Sequence, residues 1–236
     1  CSSLTSIIIP ESVTNIGLVV FTGCDKLIFQ EENGISYLGN WAVACEDSVT
    51  TVELRKNTKG IAGGAFAFCT DLTSITIPSS VTNIGTGIFA GCSSLTKILV
   101  ADGNAVLHVA GNCLIETESK TLLVGCNNSV IPNDGSVIRI GDYAFYGCSE
   151  FTSITIPSSV TSIGDNAFFG CSSLASILVE NGNEVFHAAG NCLIETNTKT
   201  LFLGCSSSVI PADGSITSIG DNAFAGCRSL TGITIP

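Results

Sequence analysis

The sequence predicts a solenoid, a stack of β-rich coils along one axis with hairpins inserted in alternate coils. Three observations predict it. Cys69, Cys92, Cys113, Cys126 and Cys148 recur at Cys148, Cys171, Cys192, Cys205 and Cys227, each shifted by 79 residues, and 52 of the 79 aligned positions are identical. A shorter period of 23 residues runs inside that unit, from Cys1 to Cys24, Cys69 to Cys92 and Cys148 to Cys171. The chain is 45% apolar, yet its longest apolar runs are only a few residues, which gives a large core and no bilayer span. Sequence periods of about 20–50 residues mark units that bury their faces by stacking on one another. Residues 1–236 therefore read as a single solenoid of units 1–68, 69–147 and 148–226 with a partial unit 227–236. Neither end resembles a polar capping repeat, so the segment is expected to belong to a longer protein.

One coil, 69–91, shows why each element forms. Leu72, Ile75 and Ile77 alternate with polar residues, the pattern of a strand with one buried face. Pro78 ends it, because proline cannot donate to a ladder. Val81 and Ile84 supply a second apolar pair. Gly-Asp-x-Ala-Phe follows in the fuller copies (141–145, 164–168, 220–224), where the Asp is expected to cap a single helical or 3₁₀ turn. The Phe and the Cys three residues later then plug the core. At roughly 1.5–3 kcal/mol per buried large side chain, stacking is strongly driven. The resulting expectation is a right-handed superhelix with parallel strands near 5–9, 73–77, 96–100, 152–156, 175–179 and 231–235, and a shorter strand pair on the back of each coil.

The alternate coils carry insertions. In 111–126 the runs Cys113–Thr117 and Thr121–Gly125 flank the turn Glu118-Ser119-Lys120, the third unit repeats the pattern, and the first shortens it with Gly39-Asn40 as the turn. These read as β-hairpins budding from the solenoid. The parent strands Ile98-Leu99-Val100 and Ile177-Leu178-Val179 are apolar on both faces, so the hairpin is expected to cover the second face.

The pattern L-T-S-I-T-I-P-x-S-V-T-x-I-G-x-x-A-F-x-G-C closely resembles the BspA-type leucine-rich repeats, a class of bacterial and protist surface proteins. Six x-F-x-x-C elements (Phe21, Phe66, Phe89, Phe145, Phe168, Phe224) and the strands between them carry the resemblance over nearly the whole chain, and the hairpin element fits the same class. The resemblance implies a leucine-rich repeat solenoid of the α/β superhelix class, secretion, display at a cell surface, and adhesion to host or neighbouring-cell macromolecules. The sequence departs from the commoner leucine-rich repeat in lacking Asn after L-x-L, so no buried asparagine ladder is expected.

Catalytic chemistry finds little purchase. His108 and His187 are the only histidines and share one register, five residues before Cys113 and Cys192. That spacing admits a zinc site, but a packed histidine closing the hairpin base is the preferred reading, with no metal and no cofactor. Ser is abundant only at copied coil positions, and G-x-S-x-G is absent. Gly85-Thr86-Gly87 lacks the rest of a dinucleotide fingerprint. Glu116 and Glu195 sit in different units and read as strand-edge acids that discourage pairing. The twelve cysteines are spaced by coil and lie beside Phe, so they read as buried hydrophobes, with unpaired thiols.

No enzyme reading survives. A net charge of −11 opposes nucleic acid and anionic lipid as partners. The expected function is binding of a protein or glycoprotein, in a host matrix or on a partner cell, through the outward residues of the strand face: Ser74, Thr76, Lys97, Leu99, Ser153, Thr155, Ser176 and Leu178. The alternative is a stalk that displays another domain and binds nothing itself, which the near identity of units 69–147 and 148–226 favours.

Overall fold

A computed structural model describes all 236 residues and shows a β-solenoid. In the first unit the strands are β1 (Gln30–Glu32), β2 (Ile35–Leu38), β3 (Trp41–Cys45), β4 (Thr51–Glu53) and β5 (Gly60–Ile61). The second unit contributes β6 (Ser74–Ile77), β7 (Asn83–Ile84), β8 (Lys97–Val100), β9 (Leu107–Ala110), β10 (Cys113–Glu116), β11 (Thr121–Val124) and β12 (Arg139–Ile140). The third repeats that order as β13 (Ser153–Ile156), β14 (Ser162–Ile163), β15 (Ser176–Val179), β16 (Phe186–Ala189), β17 (Cys192–Glu195), β18 (Thr200–Leu203) and β19 (Ser218–Ile219).

The front wall is parallel, as strands that recur once per coil in the same direction require. It consists of a sheet β4-β6-β8 and a separate pair β13-β15. Four of the six expected front strands are present. Residues 5–9 and 231–235 form none, while β4, whose sequence Thr-Val-Glu looks unremarkable, does. The back wall holds the short strands β5, β7, β12, β14 and β19. The hairpins are three-stranded meanders rather than buds: β9, β10 and β11 pair antiparallel in sequence, and β11 then pairs parallel with β12. The return strand of each hairpin is thus built into the back wall, as β3 joins β5 and β18 joins β19.

No helix forms at the Gly-Asp-x-Ala-Phe segments. Tyr143 and Gly147 adopt left-handed conformations (φ 60° and 76°), as do Asn166 and Gly170 (φ 54° and 77°), so no run of helical dihedrals can develop. The amides instead alternate. Tyr146 N–H donates within its own turn to Tyr143 O (3.0 Å), while Phe145 N–H donates across to Ala167 O (2.7 Å) and Gly147 N–H to Phe169 O (2.8 Å). Consecutive β-turns replace the helix because every second donor is spent on the neighbouring coil. Asp142 is accordingly not a cap. Its Oδ1 accepts from Asp165 N–H in the next coil (3.2 Å) and from Arg139 (3.1 Å).

Phe66, Phe89, Phe145 and Phe168 are all buried, and two stacked pairs form, Phe66–Phe89 and Phe145–Phe168, each with centroids 5.2 Å apart. The pairs do not join into one column. The hairpin's return strand intrudes between them, and Gly125 lies so close to Phe145 that a Cβ there would sit 2.0 Å from the ring. Phe151 completes the packing around Phe145 at 5.2 Å.

The thiols are unpaired, and nine of the twelve are buried. Cys92 donates to Phe66 O (2.9 Å) and Cys171 to Phe145 O (3.2 Å), so each thiol hydrogen-bonds a carbonyl of the preceding coil. Burial pushes Cys113 and Cys171 up to about 12, which keeps them as neutral thiols.

Candidate functional site

The front wall is an extended surface whose outward side chains are free of core duty. Alternation along each strand sends Ile75, Ile77, Ile98, Ile154, Ile156 and Ile177 inward, all at most 2% exposed. Their neighbours point out. Lys97, Leu99, Ser153, Thr155 and Leu178 are exposed, and Ser74, Thr76 and Ser176 are half-buried. The register aligns them in rows: Ser74 beside Lys97, Thr76 beside Leu99, Ser153 beside Ser176 and Thr155 beside Leu178. The eight residues therefore share one wall but fall into two blocks of four, because β8 and β13 are not paired.

Hairpins do not cover the apolar outward positions. Leu99 is 41% exposed and Leu178 56%, so the expectation of a hairpin lid fails. The reason is the meander's direction: its third strand joins the back wall, which carries the hairpin away from the front face.

Asparagines missing from the sequence reading hold the front together. Asn112, at φ 60°, accepts from Ile98 N–H (3.1 Å) and donates to Thr96 O (2.7 Å). Its amide occupies the ladder positions that a further strand would fill, and so caps the trailing edge of β8. Asn191 does the same for β15 through Ile177 N–H and Ala175 O, both at 2.7 Å. Asn104 and Asn183 each make four hydrogen bonds that brace the hairpin's entry, including Asn104 Nδ2 to Val81 O (2.9 Å) and Leu107 N–H to Asn104 Oδ1 (2.8 Å). The signal was the copying of Gly-Asn-Cys (111–113, 190–192) and of Gly-Asn-x-Val (103–106, 182–185) between units.

On the back, a recess of about 410 Å3 between coils is lined by Asp165, Asn166, Phe169, Phe202, Asp221 and Asn222. Its counterpart one unit earlier is only about 170 Å3. His108 and His187 hydrogen-bond Thr117 and Thr196 across the meander (2.8 and 2.9 Å). Nowhere do three His, Cys, Asp or Glu side chains converge as a metal would require. Glu116 and Glu195 lie at the same place in separate hairpins and accept hydrogen bonds from Ser119 and Thr198. No helix is long and apolar enough to cross a membrane.

Stacked parallel front strands, short back strands and copied Phe/Cys plugs define a repeat solenoid of about six turns. The comparisons agree. The chain belongs to the BspA type leucine rich repeat family, which it matches in six copies over residues 1–113, 121–198 and 195–236. It is similar to a leucine rich cell surface protein from Faecalibacterium prausnitzii A2-165, with 30% identity and a TM-score of 0.58. All of this chain, but only 61% of that one, is covered. A leucine-rich repeat protein from Eubacterium ventriosum shares the fold at 22% identity and a TM-score of 0.50, over 80% of this chain and 48% of that one. No curated protein sequence is significantly similar.

Proposed function

We propose that this chain is part of a cell-surface or secreted protein that binds a protein or glycoprotein partner, of a host matrix or a neighbouring cell, through its front wall. One observation carries the reading. The two blocks of the front wall leave Leu99 and Leu178 uncovered among Lys97, Ser153 and Thr155, where core packing demands none of them. Exposed apolar side chains set in a polar field are the composition of a contact surface. The resemblance of the chain to a protein described as a cell surface protein supports the location. A shallow wall with no convergent titratable groups suits broad contact and offers nothing for catalysis.

The test is the triple variant Lys97→Glu, Leu99→Glu, Leu178→Glu. These three residues are exposed, so the fold is expected to survive with an unchanged circular dichroism spectrum. Binding to immobilised matrix glycoproteins or to partner cells is expected to fall at least about tenfold, since three carboxylates join a body already at −11. The stalk reading is favoured by the 52 identical positions between units, because a dedicated site needs divergent copies. It takes over if the variant binds as well as the natural chain, or if the natural chain binds nothing in the same panel.

A further inference from the structure

The front wall has a gap that recurs with the repeat. After β8 the next front strand is β13, and no ladder joins them. Residues 127–131 pass between the two, but Val130 N–H donates to Gly111 O in the hairpin (2.8 Å) and Pro132 has no N–H to give. A groove of about 330 Å3 remains, lined by Asn127, Asn128 and Val130 on one side and by Phe151, Ser153 and Thr155 on the other. One unit on, Val209 N–H donates to Gly190 O (2.8 Å), and a groove of about 490 Å3 separates 208–212 from 232–236.

The β13 edge of this groove is chemically unfinished. Thr152 O and Ile156 O accept from Ala175 and Glu180, so residues 152, 154 and 156 direct their main-chain groups at β15. By the alternation of a parallel ladder, Ser153 and Thr155 direct theirs at the groove. Neither has a main-chain hydrogen bond, because β13 pairs with β15 alone. Two N–H and two C=O groups thus stand at strand spacing. The edge is also unguarded. Strand β4 ends its own sheet with the exposed carboxylate of Glu53, a common protection against pairing. The lining of the β13 groove bears no charge.

We propose that this groove receives an extended segment of the partner protein, which adds to β13 as a strand by pairing with Ser153 and Thr155. The inference rests on the reading of the front wall as a binding surface and names the form of the ligand. The segment 127–131 forms the opposite wall of the groove and stands in the way of an edge-to-edge approach by a second sheet. Main-chain pairing supplies affinity in this mode, with side-chain pockets giving selectivity. The net charge of −11 selects a segment that is neutral or basic.

The probe is the acetylated, amidated heptapeptide Lys-Thr-Val-Thr-Val-Thr-Lys. Its companions are an analogue N-methylated at the valines and threonines, and a version with Glu at both ends. Saturable binding is expected, with the Ser153 and Thr155 amides shifting in 15N–1H spectra and gaining protection from exchange. Methylation of the peptide, or Thr155→Pro in the protein, is expected to weaken binding by about tenfold or more, through lost hydrogen bonds. The acidic version is expected to bind least. The proposal is overturned if the methylated analogue binds equally, if shifts centre on Lys97 and Leu99, if sedimentation shows self-association through this edge, or if nothing binds at about 1 mM. The methylated peptide is titrated against the natural chain, so a misfolded Thr155→Pro leaves the test intact. Loss of adhesion in the front-wall triple variant together with a failed peptide titration would remove the strand-addition inference and leave the adhesive reading standing.

Discussion

β6 and β13 have the same sequence, Ser-Ile-Thr-Ile, in the same register of successive units, and the fold treats them differently. β6 lies in the middle of a sheet, bonded to β4 on one edge and β8 on the other. β13 has β15 on one edge and a groove on the other. The inward isoleucines are equally buried in both, between 0% and 2% exposed, so packing does not distinguish the strands. What differs is the preceding coil. In the first unit it supplies Thr51–Glu53, which pairs with Ser74–Thr76. In the second it supplies Val130-Ile131-Pro132, whose main chain is committed to the hairpin. Local sequence fixes which face of a strand is buried, and the neighbouring coil decides whether its edges are satisfied.

The largest expected effect probes the cores beneath the two strands. Phe145 is fully buried and stacks on two rings, Phe168 and Phe151, whereas Phe89 has Phe66 alone. Phe145→Ala should cost roughly 3–5 kcal/mol, and Phe89→Ala should fall at the lower end of that range. Solenoid coupling is between neighbours, so hydrogen exchange should show coils 139–171 loosening before coils 51–77. Equal losses in the two variants, or uniform loosening along the chain, would mean that the hairpins do not partition the core.

Proline scanning then separates the edges themselves. Thr76 N–H lies on the edge of β6 that pairs with β4, so Thr76→Pro deletes a ladder bond inside a sheet and should cost about 3 kcal/mol. Thr155 N–H faces the groove, and Thr155→Pro should cost less than about 0.5 kcal/mol in the isolated chain. Chemical denaturation of the two variants measures the difference directly. A comparable loss at both sites would show that the β13 edge is engaged in solution.

Much of this contrast was legible in the sequence, and the exceptions have physical causes. Alternation around Ile75, Ile154 and Ile177, with Pro78 and Pro157 as stops, placed the middle front strands to within a residue. The copied Phe and Cys positions identified buried plugs. The Gly-Asp-x-Ala-Phe segment misled because its residue types suit a helix start, while the choice between a helix and successive turns depends on acceptors in the next coil. Leu99 and Leu178 misled for a related reason: their apolarity asked for a cover, and the direction taken by the hairpin is set by pairing with β12 and β19, which no local pattern records. The outward rows followed from alternation alone. The open edge did not, since it depends on where Val130 N–H finds its acceptor.

The smallest effect concerns the opposite side of the same gap, where Asn112 stands in for a strand along β8. Asn112→Gly keeps the left-handed backbone without penalty and removes only the amide, which supplies one acceptor to Ile98 N–H and one donor to Thr96 O. The groups it abandons lie at a surface where water can replace part of the loss, so the cost should be about 1–2 kcal/mol. Asn112→Ala should cost about 1 kcal/mol more, because alanine resists the left-handed conformation. The decisive readout is local. Exchange at the Ile98 amide should accelerate in both variants, while the Ile75 amide, bonded within the three-stranded sheet, should keep its protection. If Ile98 stayed protected in Asn112→Gly, the side chain would not be the cap, and the trailing edge of β8 would have to be satisfied by a closer approach of the chain at 127–131. That shift would also widen the groove beside β13. The same measurement therefore bears on both sides of the gap: a β8 edge that opens when its asparagine is removed is what distinguishes a capped edge from the bare one 56 residues later at Ser153 and Thr155.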